Sequence, residues 1–145
     1  MSTYPPKLEA IVDSLRELDR NERIQMLIDL SKGFRPVDES VATRPFPEVN
    51  KVPACESEAY AWCLPREDGT LGWAFAVENP QGISAMAMAA ILEKSLTGLR
   101  PEEVAELPAD VVYEIFGKEL SMGKSMGLMG MVQLVTHLAK SRSSS

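Results

Sequence analysis

Two alternating runs joined by a short glycine-containing turn constrain this chain more than any other feature. In Glu56–Leu64, Tyr60, Trp62 and Leu64 fall on one side and Ala59, Ala61 and Cys63 on the other. In the next run, Leu71, Trp73, Phe75 and Val77 alternate against Gly72, Ala74 and Ala76. A period of two places successive side chains on opposite faces of a strand. Between the runs, Pro65-Arg66-Glu67-Asp68-Gly69 supplies a turn, with Gly69 free to take positive φ. The pattern predicts a β-hairpin. The bulky side of each strand is expected to press on helices, with Trp62 and Trp73 as neighbouring anchors. The small-residue side is expected to be closely packed by something or left partly open.

Helical patterns flank the hairpin on both sides. Leu8, Ile11, Val12, Leu15 and Leu18 form one buried stripe. Asp19 followed by Glu22 reads as a capping box starting a second helix, with Ile24, Leu27, Ile28 and Ser31 as its stripe and Gly33 near its end. Residues 36–53 then hold four prolines and little periodicity, a loop of a length that is functional or mobile. Val49–Val52 is expected to pair as a short third, edge strand.

After the hairpin, Asn79-Pro80-Gln81-Gly82 breaks the sheet, and Ile83–Thr97 reads as a deeply buried helix ending at Gly98. Short helices are expected from Pro101 and over Asp110–Phe116. Ser121–Gly127 reads as a polar loop before a last helix carrying Leu128, Met131, Val132, Val135 and Leu138. Blocks segregated in this way predict an α+β fold: an N-terminal helical hairpin, a small antiparallel sheet of about three strands covered by helices, and a C-terminal helix. At 145 residues the chain is expected to be a single domain, with residues 1–6 and 141–145 disordered.

Charge and hydropathy exclude some functions. Fifteen Lys and Arg against twenty-one Asp and Glu give a net charge of −6, which argues against nucleic-acid and anionic-membrane partners. No apolar run approaches the ~20 residues of a membrane span, and the N-terminus lacks a signal-peptide core. Two cysteines do not make a disulfide framework. The expectation is a cytoplasmic protein with reduced thiols.

Cys55 reads in two ways. It is a buried or half-buried small apolar residue, or it is a nucleophilic thiol at a loop-to-strand junction, among polar neighbours and after Pro53. Cys63 reads as a core thiol. Eight residues of extended strand would hold it about 26 Å from Cys55, too far for a disulfide or a shared metal. His137 is expected to face solvent, and a Cys55/Cys63/His137 zinc site lacks the usual local spacing. Met122, Met126, Met129 and Met131 read as flexible core filling or as an adaptable apolar lining.

Asn50-Lys51-Val52-Pro53-Ala54-Cys55-Glu56-Ser57-Glu58 resembles the signature around the reactive cysteine of SufE-type sulfur acceptors, typically N-K-V-P-G-C-Q-S-Q. Leu120-Ser121-Met122-Gly123-Lys124-Ser125-Met126-Gly127-Leu128 is similar to the family's segment before its last helix. Leu99–Val104 is similar to its short helix start. Ala54 replaces the usual Gly, Glu56 and Glu58 the usual glutamines, and Lys124 a common Arg.

The resemblance implies that Cys55 takes sulfane sulfur from a pyridoxal-phosphate-dependent, SufS-like cysteine desulfurase and stimulates that enzyme. The sulfur then passes to a SufB-like iron–sulfur scaffold, so the chain acts as a covalent relay rather than a stand-alone enzyme. It further implies no cofactor or metal on this chain, with Lys51, Ser57 and Lys124 as polar neighbours of the persulfide. Glu56 and Glu58 oppose formation of the thiolate that attacks sulfur, so Cys55 is expected to be sluggish until a partner's surface activates it. Two alternatives stay open: a metal-binding or iron–sulfur scaffold protein, and a non-catalytic partner that only stimulates a desulfurase. A homodimer also stays open.

Overall fold

The computed structural model describes residues 4–118 and 120–143. Met1–Thr3, Glu119, Ser144 and Ser145 lie outside them, so of the two ends expected to be disordered residues 1–3, 144 and 145 are not described, while Pro6 and residues 141–143 belong to helices.

Helix α1 (Pro6–Arg16) starts with Pro6 in its first turn, where a missing N–H costs nothing, and buries Leu8, Val12 and Leu15. Helix α2 (Arg20–Ser31) opens on the predicted capping box. The Asp19 carboxylate accepts from the Glu22 N–H at 2.8 Å, and the Asp19 N–H donates back to Glu22 at 3.0 Å. Only Leu27 of the predicted α2 stripe is buried; Ile28 and Ser31 are half-buried and Ile24 is 47% exposed.

Strands β1 (Ala59–Pro65) and β2 (Leu71–Val77) form the antiparallel hairpin, and Gly69 turns with φ 86°. Helix α3 (Ile83–Leu96) buries eight of its fourteen residues and packs on α1, α2 and β2. Two short helices follow, α4 (Pro101–Ala105) and α5 (Val111–Phe116), the second closed by Gly117 at φ 87°. Helix α6 (Met122–Ser143) packs on β1 and α4. The α+β architecture is as predicted, with one strand fewer.

Three differences matter for the site. First, the register sets Trp62 against Ala74 and Trp73 against Cys63. Directly paired residues share a face, so the bulky residues of the two strands lie on opposite faces. Ala59, Ala61, Leu71, Trp73 and Phe75 join the main core, whereas Tyr60 and Trp62 face the other way. There the proline-rich loop covers them: the Phe46 ring lies 5.0 Å from Tyr60 and 5.1 Å from Trp62. The two tryptophans are therefore not neighbours. Each bulky side chain instead stands opposite a small one, which lets both faces pack.

Second, no third strand forms among the described residues. Glu48–Asn50 is one 3-10 turn, and pairing with β1 shrinks to a single bridge between Lys51 and Tyr60. The Asn50 amide takes the outward carbonyl of Ala61 at 2.8 Å, where a third strand's N–H would bond, and Pro53 has no N–H to extend the ladder. At its other end the loop touches the outer edge of β2, where the Val37 N–H donates to Phe75 O at 2.8 Å.

Third, the segment read as a polar loop is the start of α6. The Ser121 hydroxyl caps it by accepting from the Lys124 N–H at 3.3 Å, and Gly123 and Gly127 are helical. Met131 is fully buried and Met129 partly so, but Met122 and Met126 stand 77% and 53% exposed, so the methionines are only in part core filling.

Candidate functional site

Cys55 sits near the tip of a short loop that is closed at its base. Val52, itself buried, donates its N–H to Ala59 O at 2.8 Å, and Lys51 bridges to Tyr60. Between these closures the chain turns sharply. The Glu58 N–H donates to Cys55 O at 3.2 Å, and both Ala54 (φ 60°) and Glu58 (φ 51°) are left-handed. That region is strained for residues with a Cβ, by about 1–2 kcal/mol each. The strand begins only at Ala59, three residues later than the alternating pattern predicts, so Cys55 belongs to a turn that runs on through Glu58.

The loop rests on a glycine stripe. Gly123, Gly127 and Gly130 lie on one side of α6, and a Cβ at each would meet the loop in turn. At Gly123 it would come 3.2 Å from the Glu56 carboxylate oxygen, at Gly127 3.1 Å from Cys55 Cα, and at Gly130 2.6 Å from Pro53 O. At Gly127 and Gly130 only hydrogen lets the backbone of residues 53–55 approach the helix, whereas at Gly123 the neighbour is the flexible end of the Glu56 side chain. A further close approach, between Ser57 and Gly82, fixes the loop's far side: a Cβ on Gly82 would lie 2.6 Å from the Ser57 hydroxyl. Sequence reasoning missed this set. The signal was the i, i+4, i+7 spacing of the three α6 glycines, which marks one helix face.

Cys55 is half-buried between two hollows. One, of ≈ 500 Å³, is lined by Glu48, Lys51 and residues 52–56. The other, of ≈ 360 Å³, lies between the Cys55 turn and the first turns of α3 and α6, and includes Ser57, Ser84, Gly123 and Lys124. The predicted neighbours thus converge on Cys55 from two sides, Lys51 in the first hollow and Ser57 and Lys124 in the second. Glu56 lines both hollows, as Cys55 does. Two helix N-termini with partial positive charge, and the Lys124 ammonium, make the second hollow able to take an anion such as a persulfide. The first is wide enough for a partner's side chains to reach the sulfur.

The other singled-out residues lie apart from this site. Cys63 faces the core beside Trp73, half-buried; burial pushes its thiol above the ordinary range, and the Arg142 guanidinium partly offsets this. His137 is exposed. Among the described residues no three His, Cys, Asp or Glu side chains are grouped to hold a metal, and no helix is long and apolar enough to cross a membrane.

The family model described as SufE, the Fe-S metabolism associated domain, matches residues 9–139. The chain belongs to this family. A solution structure of a hypothetical protein from Thermus thermophilus superposes with a TM-score of 0.76 at 23% identity, covering 98% of this chain and 99% of that one. That likeness extends the fold, and nothing more, over the whole chain. No curated protein matches the sequence. As a SufE-family member, the chain is associated with iron–sulfur metabolism.

Proposed function

We propose that this SufE-family chain is a sulfur acceptor that carries a persulfide on Cys55. The donor is a pyridoxal-phosphate-dependent, SufS-like cysteine desulfurase, which this chain also stimulates, and the receiver is a SufB-like iron–sulfur scaffold. The observation that carries the proposal is the placement of Cys55: on a rigid turn, held against the α6 glycines, and open to two hollows.

The Cys55 thiolate attacks the terminal sulfur of the donor's cysteine persulfide. A new S–S bond forms at Cys55, the donor's S–S bond breaks, and the donor's cysteine leaves as a thiolate. The exchange is redox-neutral and consumes no co-reactant. The half-buried seat slows access of reductants to the product. Lys51, Ser57 and Lys124 supply a cation or a hydroxyl within the two hollows that adjoin it, and Glu56 disfavours a second anion there until a partner covers the loop.

Mass spectrometry after incubation with cysteine and a SufS-like desulfurase tests the reading. Wild type should gain the mass of one sulfur atom on the peptide containing Cys55. Cys55→Ser should gain none and should no longer stimulate the desulfurase. Full stimulation by Cys55→Ser would show a non-catalytic activator instead, and sulfur on Cys63 alone would overturn the assignment.

A further inference from the structure

A groove of ≈ 730 Å³ runs between α2, α5 and the start of α6. Its charge runs against that of the whole chain. Arg16, Arg20, Arg23, Lys118 and Lys124 line it, with Glu114 as the one carboxylate among the described lining residues, in a protein of net charge −6. That carboxylate is already paired with Arg16 at 3.1 Å. The floor is apolar, made by Leu27, Phe116 and Leu120, and Ile24 stands 47% exposed at its side. A helix whose capping and stripe mark it for the core thus leaves one bulky aliphatic side chain in a cationic trough. Lys124 lines both this groove and the hollow beside Cys55 and so stands between the two.

We propose that this groove docks an acidic, apolar segment of the protein that delivers sulfur to Cys55: a stretch with carboxylates on either side of a bulky hydrophobic residue. The proposal rests on the sulfur-acceptor reading above and adds the partner's chemistry to it. The apolar residue seats on Ile24, Leu27 and Phe116, and the carboxylates meet Arg20 and Lys118 on the rim. Lys124 links the docked segment to the sulfur site. Opposite charge at a rim steers encounter and selects the partner, and the buried aliphatic contact slows its departure. An acidic chain with a locally cationic trough repels most of an acidic partner's surface and admits it in one orientation.

Calorimetric binding of a SufS-like desulfurase, read beside sulfur uptake at Cys55 by mass spectrometry, tests the groove. At ~50 mM salt, Arg20→Glu with Lys118→Glu should weaken binding about tenfold. The loss should shrink at ~500 mM salt, where rim charges are screened. Ile24→Asp should weaken binding at both salt concentrations. Lys94→Glu, half the charge change of the double variant at an exposed site on α3, should bind as wild type, and thermal unfolding should show every variant folded. If the double variant and Ile24→Asp both bind like wild type while sulfur still reaches Cys55, the groove proposal fails and the sulfur-acceptor reading stands. If binding follows the groove variants but no sulfur arrives at Cys55, the sulfur reading fails and the groove stands as a docking site.

Discussion

Adding one methyl group to glycines of α6 should change the stability of this protein with opposite signs along a single helix. In a helix interior, Gly→Ala stabilises by about 1 kcal/mol, because alanine has less backbone freedom to lose. At Gly130 that gain meets an obstacle. The new Cβ would stand 2.6 Å from Pro53 O, with Pro53 Cγ at 3.4 Å and Val52 Cγ1 at 3.5 Å closing the sides. Restoring a 3.4 Å contact requires a 0.8 Å displacement of loop backbone. Val52 is buried and hydrogen-bonded to Ala59, so that loop does not slide freely.

Overpacking of this kind costs about 1–3 kcal/mol. A 2.6 Å approach to a backbone oxygen places Gly130 in the upper part of that range, about 2–3 kcal/mol, so Gly130→Ala should lose about 1–2 kcal/mol net, a fall in Tm of roughly 3–6 °C for a domain of this size. Gly123 is different. Its obstacle is the far end of the flexible Glu56 side chain, at 3.2 Å, which can swing away. Gly123→Ala should be neutral or stabilise by up to about 1 kcal/mol. Gly127→Ala, facing Cys55 Cα at 3.1 Å, should fall between the two. Urea and thermal unfolding give the stabilities, and iodoacetamide labelling gives the exposure of Cys55, which should rise in Gly130→Ala as the loop lifts. A Gly130→Ala protein as stable as wild type, with Cys55 no more reactive, would refute the docking of the loop on this stripe.

Three further outcomes follow from named contacts. Ala54→Gly should stabilise by roughly 1 kcal/mol in urea unfolding, because φ 60° strains alanine and not glycine; a loss of stability would show that the turn is held in another conformation. Burial raises the Glu93 carboxyl above its ordinary 4.5, against a smaller opposing pull from Arg35. The folded state then binds that proton more tightly than the unfolded chain, so stability falls as pH rises through the window above 4.5. Glu93→Gln should unfold at a higher temperature than wild type at pH 7, by under about 1 kcal/mol after screening, and the gap should close below about pH 4; a constant gap across pH would refute the assignment. In Cys55→Ser, alkylation of the remaining Cys63 thiol should rise with pH along a curve displaced above that of a free thiol, and Arg142→Gln should displace it further.

Much of this protein is written in local pattern. The spacing of Leu8, Val12 and Leu15 specifies a buried helix face, Asp19 and Glu22 specify where α2 starts, and the two alternating runs around Gly69 specify the hairpin. Such signals act over a few residues, through periodicity, capping and turn chemistry, so the chain alone reveals them. The signature around Cys55 was equally legible, and so was the alanine standing where positive φ favours glycine.

What only the tertiary structure decided depends on contacts between distant segments. Strand register, fixed by pairing across the hairpin, put Trp62 and Trp73 on opposite faces and brought Phe46 in to cover one of them. Gly123 and Gly127 argue by propensity for a loop, yet they are helical, and Gly127 leaves room for the backbone of a loop dozens of residues upstream. Ile24 fits a core stripe by spacing, but α5 and α6 leave it at the side of an open groove. Propensity and periodicity describe what a segment prefers when its surroundings are averaged. The site of this protein is made where particular surroundings override that preference.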